Sequence, residues 1–139
     1  MLVADDDPEC RLLLSAMAAK AGYHVDAVAD GDMALTMMQS LPPDLVLLDA
    51  QLPHRDGFDV CGAIKSDPRM RSTPVIMLTG HVTDQARVRA LAVGADEFVT
   101  KPFRAEHLLE VIDQLIKIRD AALQLDVEPA AVAGALGRR

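Results

Sequence analysis

Tryptophan is absent, aromatic residues make up 3% of the chain, and two cysteines occur in 139 residues. With so few rings the core has to be aliphatic, and an apolar content of 50% can supply it. Cys10 and Cys61 are far apart and form no CxxC pair. They read as reduced core thiols, with no disulfide or zinc framework to build on. No apolar run reaches the roughly 18 residues that a membrane span needs, and no leader-like segment precedes the first apolar stretch, so the cytoplasm is the expected location. Positive charge is also scarce: 14 Lys and Arg stand against 21 Asp and Glu, a net −7. Nonspecific nucleic-acid binding needs a basic face, and an anionic membrane would repel this chain.

What is present is an alternation of strand and helix repeated five times. Met1 to Ala4 is a short apolar run stopped by three aspartates, and Pro8 stands where a first helical turn tolerates a missing N–H. Helical spacing over 9–21 picks out Leu12, Leu13, Ala16, Met17 and Lys20, with Gly22 as the residue beyond the end. A second strand is predicted over 24–28. A helix capped by Asp30 follows over 31–40, with Leu35 and Met38 on one face. Leu45-Val46-Leu47-Leu48 and Val75-Ile76-Met77-Leu78 are continuous apolar runs, as in strands covered on both faces. A helix between them ends near Ser66, another runs over 83–93, a short strand covers 98–100, and the last helix begins near Arg104. Five such units predict one α/β domain: a parallel sheet of order 2-1-3-4-5, doubly wound and flavodoxin-like, flanked by five helices.

Sites in such sheets lie at the carboxyl ends of the strands, where the order reverses between strands 1 and 3. Asp5 and Asp6 follow strand 1, Asp49 ends strand 3, Thr79 ends strand 4 and Lys101 ends strand 5. The bland reading of Asp5, Asp6 and Asp7 is a solvated helix cap. Asp49 weighs against it, because an aspartate directly after four apolar residues is costly without a partner. Converging carboxylates and their hard oxygens suit Mg²⁺. Lys101 precedes Pro102, a bond at which a cis peptide costs little, and it points at the carboxylates instead of solvent. Such groups fit one chemistry, in-line attack of a carboxylate on a phosphoryl group. That transfer needs neutralisation and positioning more than a general base.

These residues resemble the response-regulator receiver family. The resemblance rests on Leu2-Val3-Ala4-Asp5-Asp6-Asp7-Pro8, Pro43-Asp44-Leu45-Val46-Leu47-Leu48-Asp49, Pro74-Val75-Ile76-Met77-Leu78-Thr79-Gly80 and Gly94-Ala95-Asp96-Glu97-Phe98-Val99-Thr100-Lys101-Pro102-Phe103. It implies that Asp49 is the phosphoacceptor and that Asp5 and Asp6 form the acidic metal pair. It implies that the Gln51 carbonyl completes the Mg²⁺ shell, and that Thr79 and Lys101 hold the phosphoryl group. It further implies that Phe98 and Thr79 switch a surface near helix 4, strand 5 and helix 5, and that Gln51 and His81 tune acyl-phosphate lifetime. The implied partners are a histidine kinase or a histidine phosphotransfer protein, with no enzymatic turnover beyond the domain's own phosphorylation and slow dephosphorylation. The alternative is a receiver-like interaction module that works without phosphorylation.

Rival chemistries fit less well. A phosphatase of the haloacid-dehalogenase type needs a second Asp two residues after the nucleophile, and Gln51 stands there. A dinucleotide site needs a glycine-rich first turn, and Asp5-Asp6-Asp7-Pro8 would repel a pyrophosphate. His24, His54 and His107 have no partners at ligand or triad spacing and read as surface residues. The receiver is expected over residues 1–120, with 121–139 a helical extension or linker. Leu108, Val111, Leu115, Ile118, Ala122 and Leu125 keep a 3-4 spacing, so the last helix is expected to extend and to contribute to a homodimer or partner contact.

Overall fold

The computed structural model describes residues 1–81 and 83–136. The strands are β1 (Leu2–Ala4), β2 (Asp26–Val28), β3 (Val46–Asp49), β4 (Val75–Thr79) and β5 (Glu97–Thr100). The helices are α1 (Pro8–Lys20), α2 (Gly31–Ser40), α3 (Gly57–Ser66), α4 (Asp84–Ala92), α5 (Ala105–Leu125) and α6 (Pro129–Ala135). All strand pairs are parallel, in the order β2-β1-β3-β4-β5. The predicted sheet is therefore present with its five flanking helices, and among the described residues a sixth, α6, lies within the stretch expected to be a helical extension or linker.

Alternation along each strand splits the core in two. Leu2, Ala4, Val46, Leu48, Val75 and Met77 face α2, α3 and α4, where Ala34, Met38, Val60, Cys61, Ile64 and Ala90 meet them. Val3, Leu47, Ile76, Leu78 and Val99 face the other way, onto Leu14 and Ala18 of α1 and Leu108, Val111, Ile112 and Leu115 of α5. β3 and β4 are fully buried, as their unbroken apolar runs required. Each large aliphatic side chain so buried contributes about 2 kcal/mol. Helix starts are fixed locally, with Asp7, Asp30, Asp56 and Thr83 each accepting a backbone N–H of the turn they precede.

The helices add two points to the sequence reading. The face of α1 drawn through Leu12 and Leu13 is not the packed one: these residues are 72% and 58% exposed, and Leu14 and Ala18 go inward. Apolar residues occur nearly all round this helix, so spacing alone could not choose the face. The distal seam on α5 is in part packed within the chain. Ile118 and Ala122 pack against Val132 of α6, which folds back from a turn at Asp126, where φ is 54°.

Gly57 fastens the site to this frame. Its N–H donates to the Ala50 carbonyl at 2.9 Å, and a Cβ there would overlap the Asp49 carbonyl oxygen. Gly57→Ala is expected to lower stability by about 2 kcal/mol or more, read as a lower Tm, because the obstacle is backbone and cannot rotate away.

Candidate functional site

The sheet order brings the carboxyl ends of β1, β3, β4 and β5 side by side, and with them Asp5, Asp49, Thr79 and Lys101. Lys101 sets the geometry: its Nζ donates to Asp5 Oδ2 at 2.9 Å and to Asp49 Oδ2 at 3.1 Å. The peptide bond that follows it, to Pro102, is cis. Asp5 is 0% exposed, and both its oxygens are engaged, since Oδ1 accepts the Asp7 N–H at 3.0 Å. Asp49 is buried, and its Oδ1 accepts the Gln51 N–H at 3.0 Å. Asp6 stands at the open side and is exposed. Asp5, Asp6 and Asp49 can offer one carboxylate oxygen each within 4.8 Å of one another.

Three carboxylates against one ammonium make an unequal site. Burial pushes the Asp49 carboxyl above the usual range, and the Gln51 N–H and Lys101 only partly offset it. Burial acts the same way on Asp5, but the Cys10 thiol, Lys101 and the Asp7 N–H together hold it below the usual range. Burial favours neutral Lys101, yet Asp5 and Asp49 outweigh it and raise its pKa. The donor set fits a hard divalent cation, being all oxygen, with Asp6 open and Asp49 short of counter-charge.

Thr79 is buried, and its Oγ1 accepts the His81 N–H at 3.0 Å, which leaves the hydroxyl proton able to donate. Phe98 is half-buried against the core, with the Arg87 guanidinium 5.2 Å from its ring centre. Gln51 and His81 have exposed side chains at the rim. His24 and His54 are exposed, His24 beside Asp26. His107 is exposed too, on a groove beside Phe103 and Arg104.

Two supporting residues escaped the sequence reading. Arg11 donates to the Asp5 carbonyl at 2.8 Å and so holds the β1–α1 turn in shape. Cys10 hydrogen-bonds the Asp5 carboxylate, and burial together with that bond pushes its thiol up to about 11. Their positions one turn into a helix that starts at Pro8 were the available signal, since both then lie over the aspartates.

A match to the response regulator receiver domain extends over residues 1–113. The chain belongs to the response regulator receiver family. This receiver domain is 38% identical over 120 residues to the DNA-binding dual master transcriptional regulator RpaA of Synechocystis, covering 86% of this chain and 50% of that protein. It is 38% identical over 109 residues to the DNA-binding response regulator MtrA of Mycolicibacterium smegmatis, covering 78% and 46%. The chain thus spans about half the length of the curated relatives it matches. Among solved structures it resembles the receiver domain of a signal transduction histidine kinase from Syntrophus aciditrophicus. That likeness has a TM-score of 0.79 and 32% identity, and covers 84% of this chain and 88% of the other. The chemotaxis protein CheY4 of Vibrio cholerae gives a TM-score of 0.77 and 32% identity, covering 82% and 95%. Among the described residues, no helix is long and apolar enough to cross a membrane.

Proposed function

We propose that this receiver takes a phosphoryl group onto Asp49 from a phosphohistidine of a histidine kinase or phosphotransfer protein. The single observation that carries the reading is the Lys101 ammonium bridging Asp5 and Asp49 beside the open carboxylate of Asp6. Asp6 and Asp49, the Gln51 carbonyl, and Asp5 through water are the groups that would hold Mg²⁺. When bound, that ion supplies the charge neutralisation a transferring phosphoryl group needs.

This chain's own residues do the rest. An Asp49 carboxylate oxygen forms the new P–O bond as the donor's P–N bond breaks, and the electron pair leaves with the imidazole. Lys101 is already within reach of Asp49 and passes to a phosphoryl oxygen. The Thr79 hydroxyl donates to another, and the space it vacates is taken by Phe98 turning inward. Gln51 and His81 flank the mouth and set how water reaches the acyl phosphate. The domain works as a signalling module, with catalysis limited to its own phosphorylation and slow dephosphorylation. Residues 1–120 act as the receiver and 121–139 as its extension. Its partners are proteins, since a chain of net charge −7 is poorly suited to touch DNA. The free cysteines Cys10 and Cys61 accord with a reducing cytoplasm.

The test is incubation with acetyl phosphate followed by intact mass measurement. With Mg²⁺ the chain is expected to gain one phosphoryl group, and with excess chelator none. A chain that stays unlabelled in Mg²⁺ would refute the reading.

A further inference from the structure

Arg89 of α4 reaches across to the start of α3. Its guanidinium lies 4.4 Å from the centre of the Phe58 ring, and its Nη2 donates to Asp56 Oδ2 at 3.1 Å. Asp59, in the first turn of α3, has its Oδ1 3.9 Å from the same nitrogen. Asp56 is also the cap of α3, its Oδ1 accepting the Asp59 N–H at 2.8 Å. One carboxylate therefore serves two helices, with an oxygen for each. An exposed ion pair alone holds little in water. A guanidinium that lies over a ring as well is fixed in direction, because its planar fork suits both contacts.

The start of α3 is also what supports the phosphoacceptor. Gly57 follows Asp56, its N–H donates to the Ala50 carbonyl, and the room a side chain would need is filled by the backbone of Asp49 and Ala50. Gln51 comes next, with its N–H on Asp49 Oδ1. A shift in the first turn of α3 therefore carries the Asp49–Gln51 backbone with it. Asp6, Gln51, Asp56, Phe58 and Arg89 wall a single groove of about 500 Å³. The helix that supplies Arg89 is weakly seated, since α4 fully buries only Ala90. With so little apolar contact its position depends on ties of this kind.

We propose that Arg89 is a positioning residue for the metal and phosphoryl site: by clamping Asp56 and Phe58 it fixes the start of α3, and with it the Gln51 carbonyl. This role rests on the phosphoacceptor reading, in which Gln51 belongs to the Mg²⁺ shell. It makes cation affinity depend on how α4 is seated, and such coupling is reciprocal. A partner that draws α4 away lowers the affinity of the site, and a filled site holds α4 in place. The connection runs through α3, apart from the one that Thr79 and Phe98 make through β4 and β5.

The experiment is calorimetric titration of Mg²⁺ into the full chain with no phosphodonor present, beside melts in chelator that show each variant to be folded. Charge and position predict opposite signs. By charge alone, removing a cation from the rim of an acidic site tightens Mg²⁺ binding. Arg89→Met is expected instead to weaken it about fivefold, the low end of coupling between two sites. Arg89→Lys keeps a charge for Asp56 and loses the planar stack, so its affinity is expected to fall between Arg89→Met and wild type. Should Arg89→Met fail to fold, weakening by Arg89→Lys carries the same test. Arg55→Met is the control. Arg55 has the same charge and stands in the same loop, but it pairs with Asp32 of α2 at 3.1 Å and is expected not to weaken Mg²⁺. Unchanged or tighter binding by Arg89→Met overturns the proposal. An equal loss in Arg55→Met does so too, because any loosening of the loop would then suffice. A wild-type chain that binds no Mg²⁺ overturns the phosphoacceptor reading and this role with it. Wild-type binding that Arg89→Met matches removes this role alone.

Discussion

Asp49→Asn is expected to abolish phosphoryl uptake while leaving the fold within about 1 kcal/mol of wild type. The first half follows from chemistry, because a neutral amide is not a nucleophile toward phosphorus and no other ionised carboxylate occupies its place. Asp5 is fully buried and has both oxygens engaged, and Asp6 is the exposed member of the cluster, outside the Lys101 bridge. The second half follows from linkage. The folded state raises the Asp49 pKa, mainly by burial, so as the pH rises past the ordinary carboxylate range the ionised form works against folding. Replacing it with a neutral isostere removes that penalty and loses one of two hydrogen bonds, and the two effects oppose. Acetyl phosphate labelling with intact mass reads the first half, and a thermal melt in metal-free buffer reads the second. Labelling that persists in a folded Asp49→Asn chain would move the acceptor to another residue.

Lys101→Met should produce the largest loss of stability of any single change at the site, about 3 kcal/mol in metal-free buffer and a fall in Tm on the order of 10 °C. The reason is asymmetric. Lys101 with its two carboxylates is a poor source of net stability, but removing it strands Asp5 without its cation in a place water does not reach. The expectation has a second arm. Mg²⁺ should restore much of the deficit, since the two carboxylates that have lost the ammonium, with Asp6 beside them, bind a cation more strongly. Melts of wild type and variant, each in chelator and in Mg²⁺, settle the matter. Equal deficits in both buffers would mean the carboxylates do not hold the ion.

The strands and the residues at their ends could be read directly, because a strand covered on both faces has little freedom of composition. β3 and β4 are unbroken apolar runs, and Asp49 and Thr79 stand out as polar residues closing them. The same reasoning gave out wherever tertiary contact chooses among equivalent local patterns. On α1, Leu12, Leu13 and Leu14 are alike in sequence, and only packing against β1 and α5 sends Leu14 inward. On α5 the seam was legible but its occupant was not, since an alanine-rich segment after Pro129 carries no signal for where it docks. The close approach of Gly57 to the Asp49 carbonyl was also invisible, because what it avoids is backbone from another element.

The bond from Lys101 to Asp5 joins residues 96 positions apart. It closes nearly the whole sequence of the receiver into one ring of contacts. During synthesis, every intermediate length short of β5 carries the acidic residues without their counter-ion and without the β4–β5 pairing that aims it. Competence to receive a signal therefore arrives last, together with completion of the sheet. A fragment severed anywhere between these two residues has no partial capacity to fall back on.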